Sequence, residues 1–255
     1  SLLTNLTNEL YVAVRRFIVE NPICTEGKMR KFKMEHCQDL KMINKIFSEA
    51  YENVPNESYI CPKCGWTMTF YGAQVQCCNK SCLKNAPKKE DLKPLRFQDG
   101  NCRLRHGVMR YMCLPGQLEL MIHETAEKCG CVAELWPDRD KYDVKITLPD
   151  GQIWAIDAKT HRNPYMLKKS IENDYVFTHT KAQKVFYVVP DDCLTDYPDY
   201  CKICNDALAN SFPDSIAKCV SMRNFSKELK GEVEDVKFRN YQKKSKELFA
   251  DFCEY

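Results

Sequence analysis

The sequence has no long hydrophobic run. No stretch reaches the ~18–20 apolar residues that a bilayer-spanning helix requires, so no membrane span is expected. The first residues, SLLTNLTNELYVAVRRF, alternate polar and apolar and lack a small-residue cleavage site, so no signal peptide is expected. No block of like charge is long enough for a disordered tail, and neither an internal repeat nor a low-complexity segment is present. The net charge of +3 is too small to demand a nucleic-acid partner, although it permits one.

Cysteine, in contrast, is abundant, with 16 in 255 residues. Without a secretory signal this favours a cytoplasmic protein whose thiols ligate metal or stay free rather than pairing as disulfides. Cys61, Cys64, Cys77, Cys78 and Cys82 crowd one short span and the others scatter. The length suits one large domain or two smaller ones, and 44% hydrophobic residues is enough for a packed core.

Residues 6–20, with apolar Leu10, Val12, Val14, Phe17 and Ile18, predict an amphipathic helix stopped at Asn21-Pro22. Residues 39–54 predict a second one, ended near Pro55. The stretch KNAPKKEDLKPLR reads as a linker, and 101–113 as strand-like pieces broken by Gly107. LPGQLELMIHETAEKCG predicts a helix begun at Pro115 and closed by Gly130. Beyond it the period changes. CVAELW, YDVKITL and IWAIDAK read as three short strands, the last two joined by the tight turn PDG. Helical spacing at 164–174, a buried strand KVFYVVP, and a helix from about 236 to 252 complete the pattern.

CPKCGWTMTFYGAQVQCCNKSC offers Cys61-x-x-Cys64 and, after a hairpin-like interval, Cys77-x4-Cys82. Four thiolates close a tetrahedral zinc site with no open position, which makes it structural rather than catalytic. Cys78 competes with Cys77 for the third place. A module this small buries too little apolar surface to fold unaided, and a metal supplies the difference. Trp66, Phe70 and Tyr71 can stack on bases or fill the miniature core. Cys201-x-x-Cys204 has no second pair nearby and reads as the start of a helix.

The other constellation is charge placed among apolar residues. Asp143 opens YDVKI, and Asp157 and Lys159 sit in WAIDAKT. Strand alternation sends Asp157 and Lys159 one way and Ile156 and Ala158 the other. The PDG turn sets the strand of Asp143 beside that of Asp157. Two carboxylates on one edge can bind a hard divalent cation such as Mg²⁺ or Mn²⁺, and a lysine beside them can orient water or stabilise charge on a phosphate. Glu119 flanks the apolar face of the preceding helix and can lean toward the strands, whereas Glu124 and Glu127 lie further around. The bland alternative is a surface hairpin in which Lys159 pairs with Asp157 or Asp143. Glu134 can reach a metal or be an edge charge. His161, Lys168, Arg103 and Arg105 are candidates for phosphate-backbone contacts.

The order of these pieces, a helix with Glu119, a strand, the Asp143 strand, the D-x-K strand, a helix and a buried strand, resembles the PD-(D/E)XK nuclease superfamily over about residues 115–190. The longer run CPKCGW…CCNKSC, RLRHGVMRYMCLPGQLEL and ELWPDRDKYDVKITLPDGQIWAIDAKTHRNPYMLKK is similar to the restriction-endonuclease family associating with prokaryotic Piwi-RE proteins. The doubled Cys77-Cys78 departs from that pattern. The resemblance implies an α/β, restriction-endonuclease-like mixed sheet flanked by helices. It implies a metal-dependent endonuclease acting on DNA in a prokaryotic antiphage or anti-plasmid defence system. Glu119, Asp143, Asp157 and Lys159 would be catalytic, and the partners would be a Piwi-like protein and other defence-island proteins. Restriction-like nucleases often pair two active sites, so a homodimer is a further expectation. A nucleic-acid-binding subunit without catalysis is the alternative. The expected division is a helical module at 1–58, a zinc ribbon and linker at 59–94, and a nuclease domain at 95–255.

Overall fold

The protein's structure, a computed structural model, describes residues 3, 6–55, 58–71, 74–77, 82, 92, 94–95 and 100–253. Most of the expected linker, and Cys78, lie outside them, as do the side chains of Phe70 and Tyr71. The chain divides into two units, Ser1–Gln117 and Leu118–Tyr255.

In the first unit, α1 (Asn8–Glu20) starts where the Thr7 hydroxyl accepts from the Leu10 amide, and it buries Leu10, Val14, Phe17 and Ile18. After β1 (Ile23–Thr25), Thr25 caps α2 (Glu26–Glu35), a helix whose lysine-rich sequence conceals its apolar side. The helix expected at 39–54 ends as α3 (Leu40–Ala50), and Tyr51–Asn53 continues as strand β2. Phe17, Phe32 and Phe47 form the aromatic centre of these helices, with ring centroids 4.6–5.5 Å apart. Next come β3 (Ser58–Ile60), β4 (Thr67–Tyr71), β5 (Gln74–Gln76), β6 (Pro94–Leu95) and β7 (Asn101–Leu104). They form two small antiparallel sheets, one in the order β5-β4-β3-β6 and one with β7 between β1 and β2.

Residues 101–113 are strand-like only as far as Leu104. From His106 the chain is helical, through α4 (His106–Val108), a π-helical turn at Met109–Cys113, and α5 (Leu114–Cys129). Pro115, expected to open a helix, lies inside one. A proline has no N–H and its ring collides with the preceding turn. Here the wider π-turn, in which the Leu114 amide reaches Met109, lets the helix pass through.

The second unit holds β8 (Val132–Leu135), the short α6 (Pro137–Asp140), β9 (Val144–Thr147) and β10 (Ile153–Ala158). It continues with α7 (Pro164–Ile171), α8 (Tyr175–Thr178), β11 (Lys184–Val189), α9 (Cys193–Asp196), α10 (Tyr200–Ser211), β12 (Ala217–Ser221) and α11 (Met222–Cys253). Gly130, at φ +86°, closes α5 as expected. The mixed sheet runs β12-β11-β10-β9-β8. Its β8, β9 and β10 are antiparallel neighbours, and β10, β11 and β12 run parallel. The β9–β10 hairpin turns at PDG, where Gly151 takes φ +87° and its amide bonds the Leu148 carbonyl.

Both faces of this sheet are covered, so β10 has no solvated side. Trp154 and Phe186 meet Phe225 of α11 on one face. On the other, Ala155, Val185, Tyr187 and Cys219 pack against Leu167 and Ile171 of α7 and Cys204 and Leu208 of α10. Charge on β10 is therefore confined to the last residues of the strand, where Asp157 and Lys159 emerge.

In the first unit, a Cβ on Gly116 would lie 2.4 Å from a Val19 methyl carbon, closer than real packing allows. Gly116→Ala is expected to destabilise the protein by about 1–3 kcal/mol through overpacking, read as a lower midpoint in urea. An unchanged midpoint would contradict this packing.

Candidate functional site

Two clusters of reactive side chains stand out, one in each unit. In the first unit, β3 ends just before Cys61. The turn that follows is closed by the Gly65 amide donating to the Cys61 carbonyl (2.9 Å) and the Cys61 amide to the Trp66 carbonyl (2.7 Å). Gly65 takes φ +72°, and this turn aims Cys61 and Cys64 at the same point. The sulfurs of Cys61, Cys64, Cys77 and Cys82 all lie within 4.8 Å of one another. Ligands at about 2.3 Å from a tetrahedral zinc ion need a similar mutual spacing, so these four residues could hold zinc. The electrostatics agree. Hydrogen bonds from Cys64 and Cys82 pull the Cys61 thiol down to about 6, while those to the other three sulfurs, together with burial, push Cys64 far up. Four crowded thiols cannot all ionise without a cation among them.

Around this cluster Trp66 is buried. Its indole N–H donates to the Leu104 carbonyl at 2.9 Å, and the Arg103 guanidinium lies 4.9 Å from its ring, so Trp66 belongs to the miniature core. Arg103 also bonds Glu52 (2.7 Å) and the Thr67 hydroxyl (2.8 Å). Arg105 is exposed, with Glu52 at 3.9 Å.

The second cluster lies at the end of β9 and β10. Val144 pairs with Ile156, so Asp143 falls opposite Asp157. Asp143 is tied on three sides. Its amide donates to the Ile156 carbonyl (3.0 Å), its carbonyl accepts from the Trp136 amide (2.8 Å), and its carboxylate accepts from the Ala158 amide (2.7 Å). Asp157 pairs with Lys159 at 2.7 Å, and the two side chains are only 14% and 23% exposed. That is the ion pair of the bland alternative, but it is recessed rather than on an open surface. The Lys159 amide bonds the Val188 carbonyl of β11, which anchors the lysine to the middle of the sheet.

Glu119 of α5 is 2% exposed and accepts a hydrogen bond from the Trp136 indole. Its charge reaches Asp143. Glu124 and Glu127 instead pair with Lys128 (3.4 Å) and His123 (3.3 Å) on their own helix, and Glu134 pairs with Lys145 (2.8 Å) as an edge charge.

Burial, the negative charges of Asp157 and Glu119, and a hydrogen bond with Asp157 hold the Asp143 carboxyl well above its ordinary range, against the pull of the Ala158 amide. Burial works against the Lys159 ammonium, but Asp157, Asp143 and Asp174 outweigh it and raise its pKa. His161 is exposed beside this pair, and burial of its ring and the Lys159 charge lower its pKa. Lys168 has Glu172 one turn away at 3.8 Å.

Two participants have no clear mark in the sequence. Trp136 links Glu119 to Asp143, through its indole and its amide respectively, and does so from a left-handed conformation at φ +50°. Such a conformation is costly for a bulky residue and persists only where its surroundings hold it. Its one signal is Pro137, which keeps the preceding residue out of the right-handed helical region. Asp174 accepts from the Tyr187 hydroxyl (2.9 Å), and Tyr187 sits opposite Asp157 in the sheet with its ring 5.9 Å from the Lys159 nitrogen.

Residues 116–236 match the model of a family described as REase associating with pPIWI_RE. The match takes in Glu119, Asp143, Asp157 and Lys159 and supports a restriction-endonuclease-like family for this part of the chain. The chain matches no curated protein and no solved structure.

A carboxyl whose pKa is raised on folding favours the protonated folded state. The stability it contributes is present below its unfolded value, near 3.8, and is lost as pH rises through the raised folded value. The Asp143→Asn protein, which cannot ionise there, is expected to melt at a higher temperature than wild type at neutral pH in the presence of chelator. The two melting temperatures should converge as pH falls toward 4. Equal melting temperatures across the range would remove the like-charge crowding.

Proposed function

We propose that the second unit is a metal-dependent nuclease of the PD-(D/E)XK type with a restriction-endonuclease-like fold, hydrolysing phosphodiester bonds in DNA. The observation that carries the reading is the convergence of Asp143, Asp157 and Lys159 at one end of adjacent strands, where Asp143 is crowded by two further carboxylates. Such a donor set suits a hard divalent cation, because oxygen ligands and net negative charge are what Mg²⁺ or Mn²⁺ requires. The crowding that raises Asp143 would be relieved by positive charge at the same point.

Asp143 and Asp157 would hold the ion, which when bound supplies an activated water and a counter-charge for the phosphate. Lys159 keeps a fixed ammonium beside Asp157 and can lend it to the phosphate oxygens as negative charge builds there. Glu119 lies near Asp143 and is held by the Trp136 indole. The Ala158 amide and the Val188 carbonyl hold Asp143 and Lys159 in register, so little reorganisation is needed when substrate arrives. His161 and Lys168 follow the same strand in sequence and are the backbone-phosphate contacts we assign; Arg103 and Arg105 are assigned to the same task in the first unit.

The matched family is described as associating with pPIWI_RE, which supports a Piwi-like partner; that the pair serves in a defence system is part of the proposal. The modest charge of +3 is in keeping with a nuclease that works alongside another nucleic-acid-binding protein, and we place it in the cytoplasm with a second copy of itself for the second strand. A catalytically silent nucleic-acid-binding subunit is the second reading, favoured by the Lys159–Asp157 ion pair closing on itself.

Plasmid DNA incubated with the protein and Mg²⁺ or Mn²⁺, alone and with the Piwi-like partner, is expected to be nicked or linearised. Asp157→Ala should abolish cutting, and Lys159→Ala should slow it by about 100-fold or more, the scale of losing one charge-stabilising group. Tight DNA binding with no cutting by wild type under any of these conditions would select the silent subunit.

A further inference from the structure

Four cysteines outside the zinc cluster converge in the second unit from three separate elements. Cys193 opens α9, Cys201 and Cys204 lie on α10, and Cys219 is in β12. Three are almost fully buried, at 0–1% exposure, and Cys201 is partly exposed at the edge of the group. One side chain ties α10 to β12. The Asn205 carboxamide donates to the Cys219 carbonyl (3.0 Å) and accepts from the Cys219 amide (2.7 Å), so residues 205 and 219 are clamped together. Cys201 lies one helical turn before Asn205 on the same face of α10, and Cys204 lies beside it. The Cys219 thiol accordingly interacts with those of Cys201 and Cys204. None of these sulfurs is needed by the carboxylate edge or by the zinc cluster.

The group also touches the segment that leaves the D-x-K strand. The Cys193 thiol donates to the His161 carbonyl (3.7 Å), the Cys204 thiol donates to the Pro164 carbonyl (3.9 Å), and the Tyr200 hydroxyl donates to the His161 carbonyl.

We propose that Cys201 and Cys219 are a redox modification site, converted by a hydroperoxide into a disulfide that a dithiol reverses. Cys201 is the attacking group because oxidant can reach it, and its thiol lies below its ordinary value through its hydrogen bond with Cys219. The Cys201 thiolate attacks one oxygen of hydrogen peroxide, the O–O bond breaks, the hydroxide that leaves takes up the proton the thiol had released and departs as water, and Cys201 becomes a sulfenic acid. The Cys219 thiol then attacks that sulfur, the S–S bond forms as the S–O bond breaks, and a second water leaves. The thiols lose two electrons, and the peroxide gains them. A disulfide at this place would cross-link α10, whose Tyr200 and Cys204 contact His161 and Pro164, to β12. The inference does not depend on the nuclease reading.

The sequence makes the test unambiguous. Trypsin cuts after Lys184, Lys202, Lys218 and Arg223, so Cys201 falls in peptide 185–202, Cys204 in 203–218 and Cys219 in 219–223. The full chain is treated with hydrogen peroxide at a dose that oxidises the exposed Cys37, blocked with N-ethylmaleimide, and digested without reductant. Peptides 185–202 and 219–223 are expected to appear joined, with fragmentation placing the bond on Cys201. The link should disappear after dithiothreitol and be absent from the Cys201→Ser protein. Recovery of Cys201 and Cys219 as separate alkylated thiols would overturn the proposal, as would a link through Cys193 or Cys204. A fall in bound zinc per chain in Cys201→Ser or Cys219→Ser would also overturn it, by showing that these sulfurs ligate metal.

Discussion

Three carboxylates, Glu119, Asp143 and Asp157, are held close together at the end of a sheet whose two faces are both covered, and the second unit is arranged around that constraint. Like charges in a half-buried place repel, and burial deepens the cost. The protein meets it with fixed partners. The Trp136 indole serves Glu119, the Ala158 amide serves Asp143, and the Lys159 ammonium serves Asp157. These partners are enough to keep the fold but not to restore an ordinary carboxyl at Asp143. A residual excess of negative charge, rigidly placed, is what a divalent cation needs to find.

The zinc-type cluster in the first unit handles the same problem differently. The sulfurs of Cys61, Cys64, Cys77 and Cys82 meet at a single point, and a metal taking all four would lift their crowding. The carboxylate edge, by contrast, is partly satisfied by its own lysine and amides. That difference supports the proposal that the carboxylate edge is the chemical site and the cysteine cluster a structural one.

Much of this was legible in the sequence because it is local. The PDG turn and the alternation of WAIDAKT place Asp143, Asp157 and Lys159 on neighbouring strand ends, and Cys-x-x-Cys followed by Cys-x4-Cys is a spacing that turns can satisfy. Glu119 could be chosen over Glu124 and Glu127 because it borders the apolar stripe of its helix. What was not legible is what distant residues decide. Trp136 becomes a positioning residue only because α5 brings Glu119 to its indole. Strand β12 reads AKCVS, too short and polar to announce itself, and is a strand because β11 lies beside it. Strand β7 pairs with β1 and β2 across long stretches of chain. The helix through Pro115 depends on a π-turn that no propensity encodes. The covered second face of β10 was missed for a related reason. Ala155 and Tyr187 become core only once α7 and α10 pack over them.

The central claim is that the raised carboxyl at Asp143 is the seat of divalent-cation binding. It is tested most directly by titrating Mn²⁺ into the protein by calorimetry, at mildly acidic pH, in buffers of different ionisation enthalpy. A cation that displaces the proton retained by Asp143 must release it to the buffer, so the account predicts up to about one proton released per ion bound. The release should fall away as pH rises through the Asp143 pKa. Binding with no dependence on buffer, or no binding at the carboxylate edge at all, would contradict it.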